Sequence, residues 1–283
     1  LQDQIINVEI DIGHYHYFTI HDPKERVICA ASFPERVLHH AIMNICHPIF
    51  ERHLIIDTYA TRVGKGTYKA LDRAKKYVKQ YSCYCKMDVR KYFDSIPHDI
   101  LFSKLEKLFK DEKLLNIFRK IIKSYQVSEG KGIPIGNLTS QYFANHYLSS
   151  VDHVAKESLG IKAYVRYMDD ILFFSESKSV VKALHKDIKT NIEEDQELEL
   201  KASQINYCYQ GVPFLGYRLY PSKVLLNKRS KNRLITKMKL YNNLLKSGKW
   251  DERNYQQHIT PLLAFSNYAN VKKLRKNIIS KLG

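Results

Sequence analysis

The sequence predicts an α+β fold, an antiparallel sheet packed with helices, and three observations predict it. The stretch Tyr164-Val165-Arg166-Tyr167-Met168-Asp169-Asp170-Ile171-Leu172-Phe173-Phe174 sets two adjacent carboxylates between apolar, aromatic runs that contain neither Gly nor Pro. Such flanks read as buried strands joined by a tight hairpin. A second strand-forming run, Tyr81 to Asp88, also ends on a carboxylate. Several other stretches repeat their apolar residues at helical spacing. With 283 residues and 44% hydrophobic content, the chain can bury one large or two modest cores.

The elements follow in order. Tyr15–Ile20 and Arg26–Ala30 read as a β-hairpin about His21-Asp22-Pro23-Lys24, with basic residues at and just after the turn. Pro34 opens a helix to Cys46, with Val37, Leu38, Ala41, Ile42 and Ile45 at helical spacing. Pro48 is expected to start a short second helix, Ile49-Phe50-Glu51. Tyr59 to Thr67 is a basic loop bearing Gly64 and Gly66, and the helix Tyr68–Gln80 follows it. Amphipathic helices are expected over Ile100–Lys110 and Lys113–Tyr125. Gly132-Ile133-Pro134-Ile135-Gly136 makes a rigid loop before a long helix, Leu138 to Ser158. A helix over Ser179–Glu194, strands over Glu197–Lys201 and Ile205–Tyr209, and a hairpin around Pro213–Leu219 complete the middle of the chain. Helices near Lys231–Ser247 and Asn254–Ile279 end it.

Charge is unevenly spread. The formal net charge is +17, and residues 221–283 hold 15 Lys and Arg against Asp251 and Glu252 alone, a net of +13. A one-signed region repels itself unless a polyanion neutralises it, so nucleic acid is the expected partner and anionic lipid a weaker one. No run of about 18 apolar residues is present, and no membrane span is expected. The five cysteines are odd in number and lack a C-x-x-C pair, and the twelve histidines form no metal-spaced set. Reduced, buried thiols and a cytoplasmic location are expected. The chain opens on Leu1 with no signal-like segment, and a natural segment before it is expected to be missing.

The acidic residues carry the chemistry. Taken alone, Asp169-Asp170 would more often be an ordinary surface turn, but solvated turns are not usually flanked by such apolar strands. Two neighbouring carboxylates repel, which a cation relieves; oxygen ligands favour Mg²⁺. Asp88 supplies a third carboxylate from another strand. Three carboxylates on two strands can hold two divalent ions about 3.5–4 Å apart, the arrangement used for in-line phosphoryl transfer.

On these residues the chain resembles the reverse transcriptases. Tyr167-Met168-Asp169-Asp170 is similar to their signature hairpin, and Asp88 followed by Phe93 to their first catalytic motif. The resemblance implies a right-hand polymerase fold: fingers 1–80, palm 81–110, an insertion 111–137, palm again 138–220 and a basic thumb 221–283. It implies RNA-templated DNA synthesis with Asp88, Asp169 and Asp170 as catalytic ligands of two Mg²⁺ ions, joined by the Val89 carbonyl, with Mn²⁺ as a substitute. It assigns Lys24, Arg26, Phe93, Ile135 and Gly136 to the incoming dNTP. It assigns Arg62, Lys65, Ser140, Gln141, Phe214, Leu215, Gly216, Lys231, Arg233 and Lys237 to the template RNA, the primer and the cDNA.

Ile135-Gly136-Asn137-x-Thr139-Ser140-Gln141, followed by Phe143-Ala144-Asn145-x-Tyr147-Leu148, is similar to the enzymes of diversity-generating retroelements. That likeness implies errors opposite template adenines and an oligomeric partner, the accessory variability determinant. Many relatives carry Gln where Ile135 stands. A retron or antiphage-defence enzyme, or a non-catalytic RNA-binding relative, are the alternatives.

Overall fold

The computed structural model describes residues 11–21 and 25–280, so the predicted turn residues Asp22, Pro23 and Lys24 lie outside the described residues. Strands β1 (Tyr15–Ile20) and β2 (Arg26–Ala31) pair antiparallel, from Tyr15↔Ala31 to Ile20↔Arg26. Helix α1 (Phe33–His53) is capped by Ser32, whose Oγ accepts the Glu35 N–H and donates to the Glu35 carboxylate. The break expected at Pro48 is absent. The proline removes one hydrogen bond, from the Asn44 carbonyl, and both residues are exposed, so water can satisfy that carbonyl.

Helix α2 (Thr67–Gln80) leads to β3 (Cys83–Asp88), the short α3 (Tyr92–Ser95), α4 (His98–Leu108) and α5 (Glu112–Lys123). The long helix expected from Leu138 is divided into α6 (Leu138–Tyr147), α7 (Ser149–His153) and a π-turn, Val154–Ser158. Strands β4 (Ala163–Tyr167) and β5 (Asp170–Ser175) are joined by Met168-Asp169 alone. Helix α8 (Lys178–Thr190) precedes β6 (Gln204–Tyr207). The strand expected over Glu197–Lys201 reduces to one bridge, Val89↔Leu200, flanked by two backbone bonds.

Strands β7 (Val212–Phe214), β8 (Tyr217–Leu219) and β9 (Val224–Leu226) form a small antiparallel sheet. Helices α9 (Lys228–Lys246), α10 (Glu252–Asn267) and α11 (Lys272–Ile279) follow. The single helix expected over Asn254–Ile279 is split because Asn270 pairs with β9. Its N–H donates to the Val224 carbonyl at 2.7 Å, and its side-chain oxygen accepts the Val224 N–H at 2.8 Å. The larger sheet has the order β4-β5-β3-β6.

The chain divides into two compact units. The first comprises Leu1–Ala70, Cys85–Phe173 and Ser179–Ile205; the second comprises Leu71–Tyr84, Phe174–Lys178 and Asn206–Gly283. A chain of buried rings centres the first: Phe50–Phe109 at 5.2 Å, Phe109–Phe118 at 5.3 Å and Phe118–Phe143 at 5.1 Å. Each ring contributes about 1.5–3 kcal/mol by leaving water. In the second unit Tyr217 packs on Phe265 at 4.7 Å, over a core with Leu234, Met238, Ile259 and Leu262. There the Tyr268 hydroxyl also bonds Asp72 at 2.8 Å. All five cysteines are buried and unpaired. Among the described residues no helix is long and apolar enough to cross a membrane.

Candidate active site

Asp88 ends β3, Asp169 lies in the β4–β5 turn and Asp170 begins β5. Because β5 and β3 are neighbours in the sheet, the fold brings the three carboxylates to one place. Met168 makes the turn with φ 56°, a left-handed conformation that an L residue with a side chain rarely adopts.

The electrostatics are those of a crowded acidic site. Burial first, then the charge of Asp88, raises the Asp169 carboxyl above the ordinary carboxylate range. Burial pushes Asp170 up to about 7, although Lys86 opposes this. The Lys86 ammonium lies 3.1 Å from Asp170 Oδ2, and Lys201 pairs with Asp88. Arg26 and Lys201 both act on Asp169 and favour its ionised form. Asp170 Oδ1 is buried with no hydrogen-bond partner among the described residues.

These residues fit a hard cation: the donors are carboxylate oxygens, one is unsatisfied, and their charges resist ionisation together. Among the described residues no three His, Cys, Asp or Glu side chains are already drawn into a metal-ligating group; Asp88 and Asp170 turn to lysines instead. The neighbouring segment bonds Asp88 O and Arg90 N on either side of the Val89↔Leu200 bridge, so the Val89 carbonyl faces the other edge.

The residues predicted to meet a nucleotide are linked through backbone. The Cys29 N–H donates to the Ile135 carbonyl at 2.8 Å, and the Ile133 N–H to the Phe93 carbonyl at 2.8 Å. Strand β2, which begins at Arg26, is thereby tied to the 133–136 loop and that loop to Phe93. Gly136 has φ 133°, and a Cβ there would lie 2.9 Å from the Cys29 carbonyl oxygen, so the close approach requires glycine. Arg26 and Gly136 are exposed; Phe93 and Ile135 are half-buried rather than core.

Other predicted contacts fall differently. Arg62 has a side chain only 6% exposed, paired with Glu51 and donating to Thr58 and to the Ile55 and Thr58 carbonyls. It braces its own loop, with its donors engaged by Glu51 and the 55–58 segment. Lys65 likewise donates to the Ile56 carbonyl and lies 4.9 Å from the Tyr59 ring centroid. Ser140 is buried, whereas Gln141 is exposed. In the second unit Phe214 is buried, and Leu215 and Gly216 form the β7–β8 turn. Lys231 on α9 is exposed, and Arg233 and Lys237 are half-buried.

Sequence reasoning missed Lys86, Lys201 and a buried group around Arg166. The signal was present, because a charged residue in an otherwise apolar strand must have a partner. Arg166 and Asp152 are both 0% exposed and form an ion pair at 2.5 Å. Burial works to lower the Arg166 pKa, but the charge and hydrogen bonds of Asp152 raise it overall.

Residues 21–219 match the family described as reverse transcriptase (RNA-dependent DNA polymerase). Protein YkfC of Escherichia coli is 22% identical over 268 residues, covering 76% of this chain and 70% of its own length. A putative COX1/OXI3 intron 2 protein of Saccharomyces cerevisiae is 20% identical, covering 65% of this chain and 29% of its own length. The fold is similar to telomerase of Candida tropicalis solved with a TWJ fragment of telomeric RNA. The TM-score is 0.59 at 11% identity, over 99% of this chain and 58% of that one. A Candida albicans telomerase structure gives 0.55 at 13% identity, over 84% and 52%. The chain thus spans under a third of the yeast intron protein and little more than half of either telomerase chain.

Proposed function

The chain belongs to the reverse transcriptase family, and on that premise we propose that it is an RNA-directed DNA polymerase acting by two-metal nucleotidyl transfer. The observation that carries this reading is the meeting of Asp88, Asp169 and Asp170 at one end of the β3–β5 sheet, with burial and mutual repulsion raising Asp169 and Asp170. Asp88, Asp169, Asp170 and the Val89 carbonyl would hold two Mg²⁺ ions. When bound, such ions supply the charge that activates a primer 3′-hydroxyl and stabilises a leaving pyrophosphate. The chain's own residues orient and neutralise. Arg26, exposed and within electrostatic reach of Asp169, is suited to a triphosphate, and Phe93 with the 135–136 loop is suited to the sugar and nascent base pair. In this reading the β3–β5 sheet is the palm, the β1–β2 hairpin belongs to the fingers, and α9–α11 form the thumb. Asp169→Asn should abolish primer extension on an RNA template while leaving duplex binding nearly intact. Substantial synthesis by that variant in Mg²⁺ would sink the assignment.

Within the family we favour the diversity-generating retroelement type, on the run from Ile135 to Leu148. Its template RNA would be copied with errors at adenines, aided by an accessory variability determinant oligomer. A Gln amide at position 135 could hydrogen-bond a correctly shaped base pair, which Ile cannot. Sequencing cDNA made on an adenine-rich template by Ile135→Gln tests this. Fewer errors opposite adenine are expected, and unchanged adenine errors would remove the position from the account. Synthesis that is full-length and template-specific without any partner would remove the accessory oligomer.

A further inference from the structure

We propose that Arg166 is a positioning residue for the acidic turn, fixing Asp169 and Asp170 through the Met168 carbonyl. The inference rests on the catalytic reading of that turn. The Arg166 guanidinium donates to four groups at once. Nε–H reaches Asp152 Oδ1 at 2.7 Å, and Nη2 reaches Asp152 Oδ2 at 2.5 Å and the Asn145 carbonyl at 2.9 Å. Nη1 reaches Asn145 Oδ1 at 3.0 Å and the Met168 carbonyl at 2.9 Å. That last bond holds the residue that makes the turn, immediately before Asp169.

The anchors are themselves anchored. Tyr164 donates its hydroxyl to Asp152 Oδ1 at 2.8 Å, and Asn145 Nδ2 donates to the Ala60 carbonyl at 2.8 Å. The Arg166 backbone bonds the Asp57 carbonyl at 2.9 Å and accepts the Tyr59 N–H at 3.0 Å. The 57–60 loop, α6, α7 and β4 therefore converge on one guanidinium.

Stability alone does not explain this construction. A fully buried ion pair is a weak source of stability, because desolvation offsets most of the attraction. What the planar fork provides is geometry: it satisfies acceptors in fixed directions, which an ammonium on a flexible stem does not. The object so held is a non-glycine residue with positive φ, a strained backbone of the kind that persists only where its surroundings over-determine it.

The test is Arg166→Lys, with wild type and Asp169→Asn as controls. Three quantities are measured: the melting temperature, single-turnover primer extension against dNTP concentration, and Mn²⁺ binding by electron paramagnetic resonance without nucleic acid. Folded Arg166→Lys should lose about 10- to 100-fold in maximal rate and in Mn²⁺ affinity, with little change in dNTP KM. Wild-type rate and Mn²⁺ affinity in a folded variant would overturn the proposal. If Arg166→Lys does not fold, Asp152→Asn, which removes the counter-charge but keeps the shape, is read by the same assays. Failure of both to fold would make the pair a folding determinant and equally overturn a positioning role. An active Asp169→Asn would sink the catalytic reading instead, and the Mn²⁺ measurement would still report what Arg166 does to the turn.

Discussion

Two hairpins in this molecule turn over two residues each and are held by different means. In β7–β8 the turn is Leu215-Gly216, with φ 44° and 89°. Two positive φ values are the backbone twist that suits antiparallel strands, and glycine supplies one of them freely. Phe214 and Tyr217 are buried beneath it, and the Gly216 carbonyl accepts one backbone bond, from the Asn227 N–H at 3.1 Å just after β9. In β4–β5 the turn is Met168-Asp169, with no glycine, and its carbonyl is bound by a guanidinium anchored on α6 and α7. A turn chosen by propensity needs little beyond its own residues and one neighbouring backbone bond. A turn that must present charged groups from buried strands takes its geometry from elsewhere in the fold.

The largest test of that contrast is chemical. Asp170→Asn should lower the single-turnover rate by about a thousandfold, since a metal's charge stabilisation amounts to several kcal/mol and each 1.36 kcal/mol is tenfold. Leu215→Ala, at the tip of the other hairpin, should weaken primer binding and leave the rate on saturating duplex unchanged. If the two variants lose rate equally, the hairpins do not divide chemistry from grip.

The next test is structural. Gly216→Val should destabilise the protein by about 1–3 kcal/mol in urea denaturation, because φ 89° strains any residue with a side chain. A Cβ there would also lie 3.0 Å from the Phe265 ring and 3.1 Å from Ser230 Oγ. A neutral result would show that the β7–β8 turn does not depend on its glycine.

The same contrast explains what could be read from the sequence. Apolar alternation, turn glycines and the Asp-Asp pair are local signals, so the hairpins, most helices and the acidic trio were legible. Positions decided by distant partners were not. Arg62 has the composition of a phosphate contact, yet Glu51 and the Ile55 carbonyl claim it. Pro48 has the look of a helix break, yet its exposed position lets α1 continue. Asn270 divides the last predicted helix because β9 offers it a backbone pair. Asp152 lies in a helix whose sequence gives no hint of Arg166.

Burial of Asp170 predicts a pH-dependent effect. Its folded pKa of about 7 lies above the ordinary carboxylate value, so the neutral form is favoured in the fold. The resulting stability is complete below about pH 4 and is lost as pH rises toward 7. In EDTA, Asp170→Asn should therefore gain on wild type by roughly 2–3 kcal/mol between pH 5 and pH 8, about two pK units at 1.36 kcal/mol each, measured by urea midpoints. Mg²⁺ should stabilise wild type more than the variant at pH 8, because an ion that binds only the folded state raises its stability. A pH-independent difference would mean that Lys86 already neutralises the carboxylate fully.

The smallest effects per residue belong to exposed charge. Residues 221–283 carry a net +13, but the lysines on α9 are not equivalent. Lys228, Lys239 and Lys246 are spaced by eleven and seven residues, close to three and two full turns, and so form one stripe. All three are exposed, whereas Arg233 and Lys237 are half-buried on another face. Each B-DNA phosphate that a side chain ceases to neutralise flattens the dependence of log K on log salt by about 0.9. Replacing Lys228, Lys239 and Lys246 together with Ala should thus reduce the slope by up to about 2.7 if each meets one phosphate. Replacing Lys231, Arg233 and Lys237 should reduce it by less, because two of those side chains are partly withdrawn from solvent. Each single change, Lys239→Ala for example, should alter duplex affinity only a few-fold near physiological salt, as expected for one screened charge. Equal slopes for the two triple variants would mean that duplex responds to the net charge of α9 and not to the stripe its exposed lysines form.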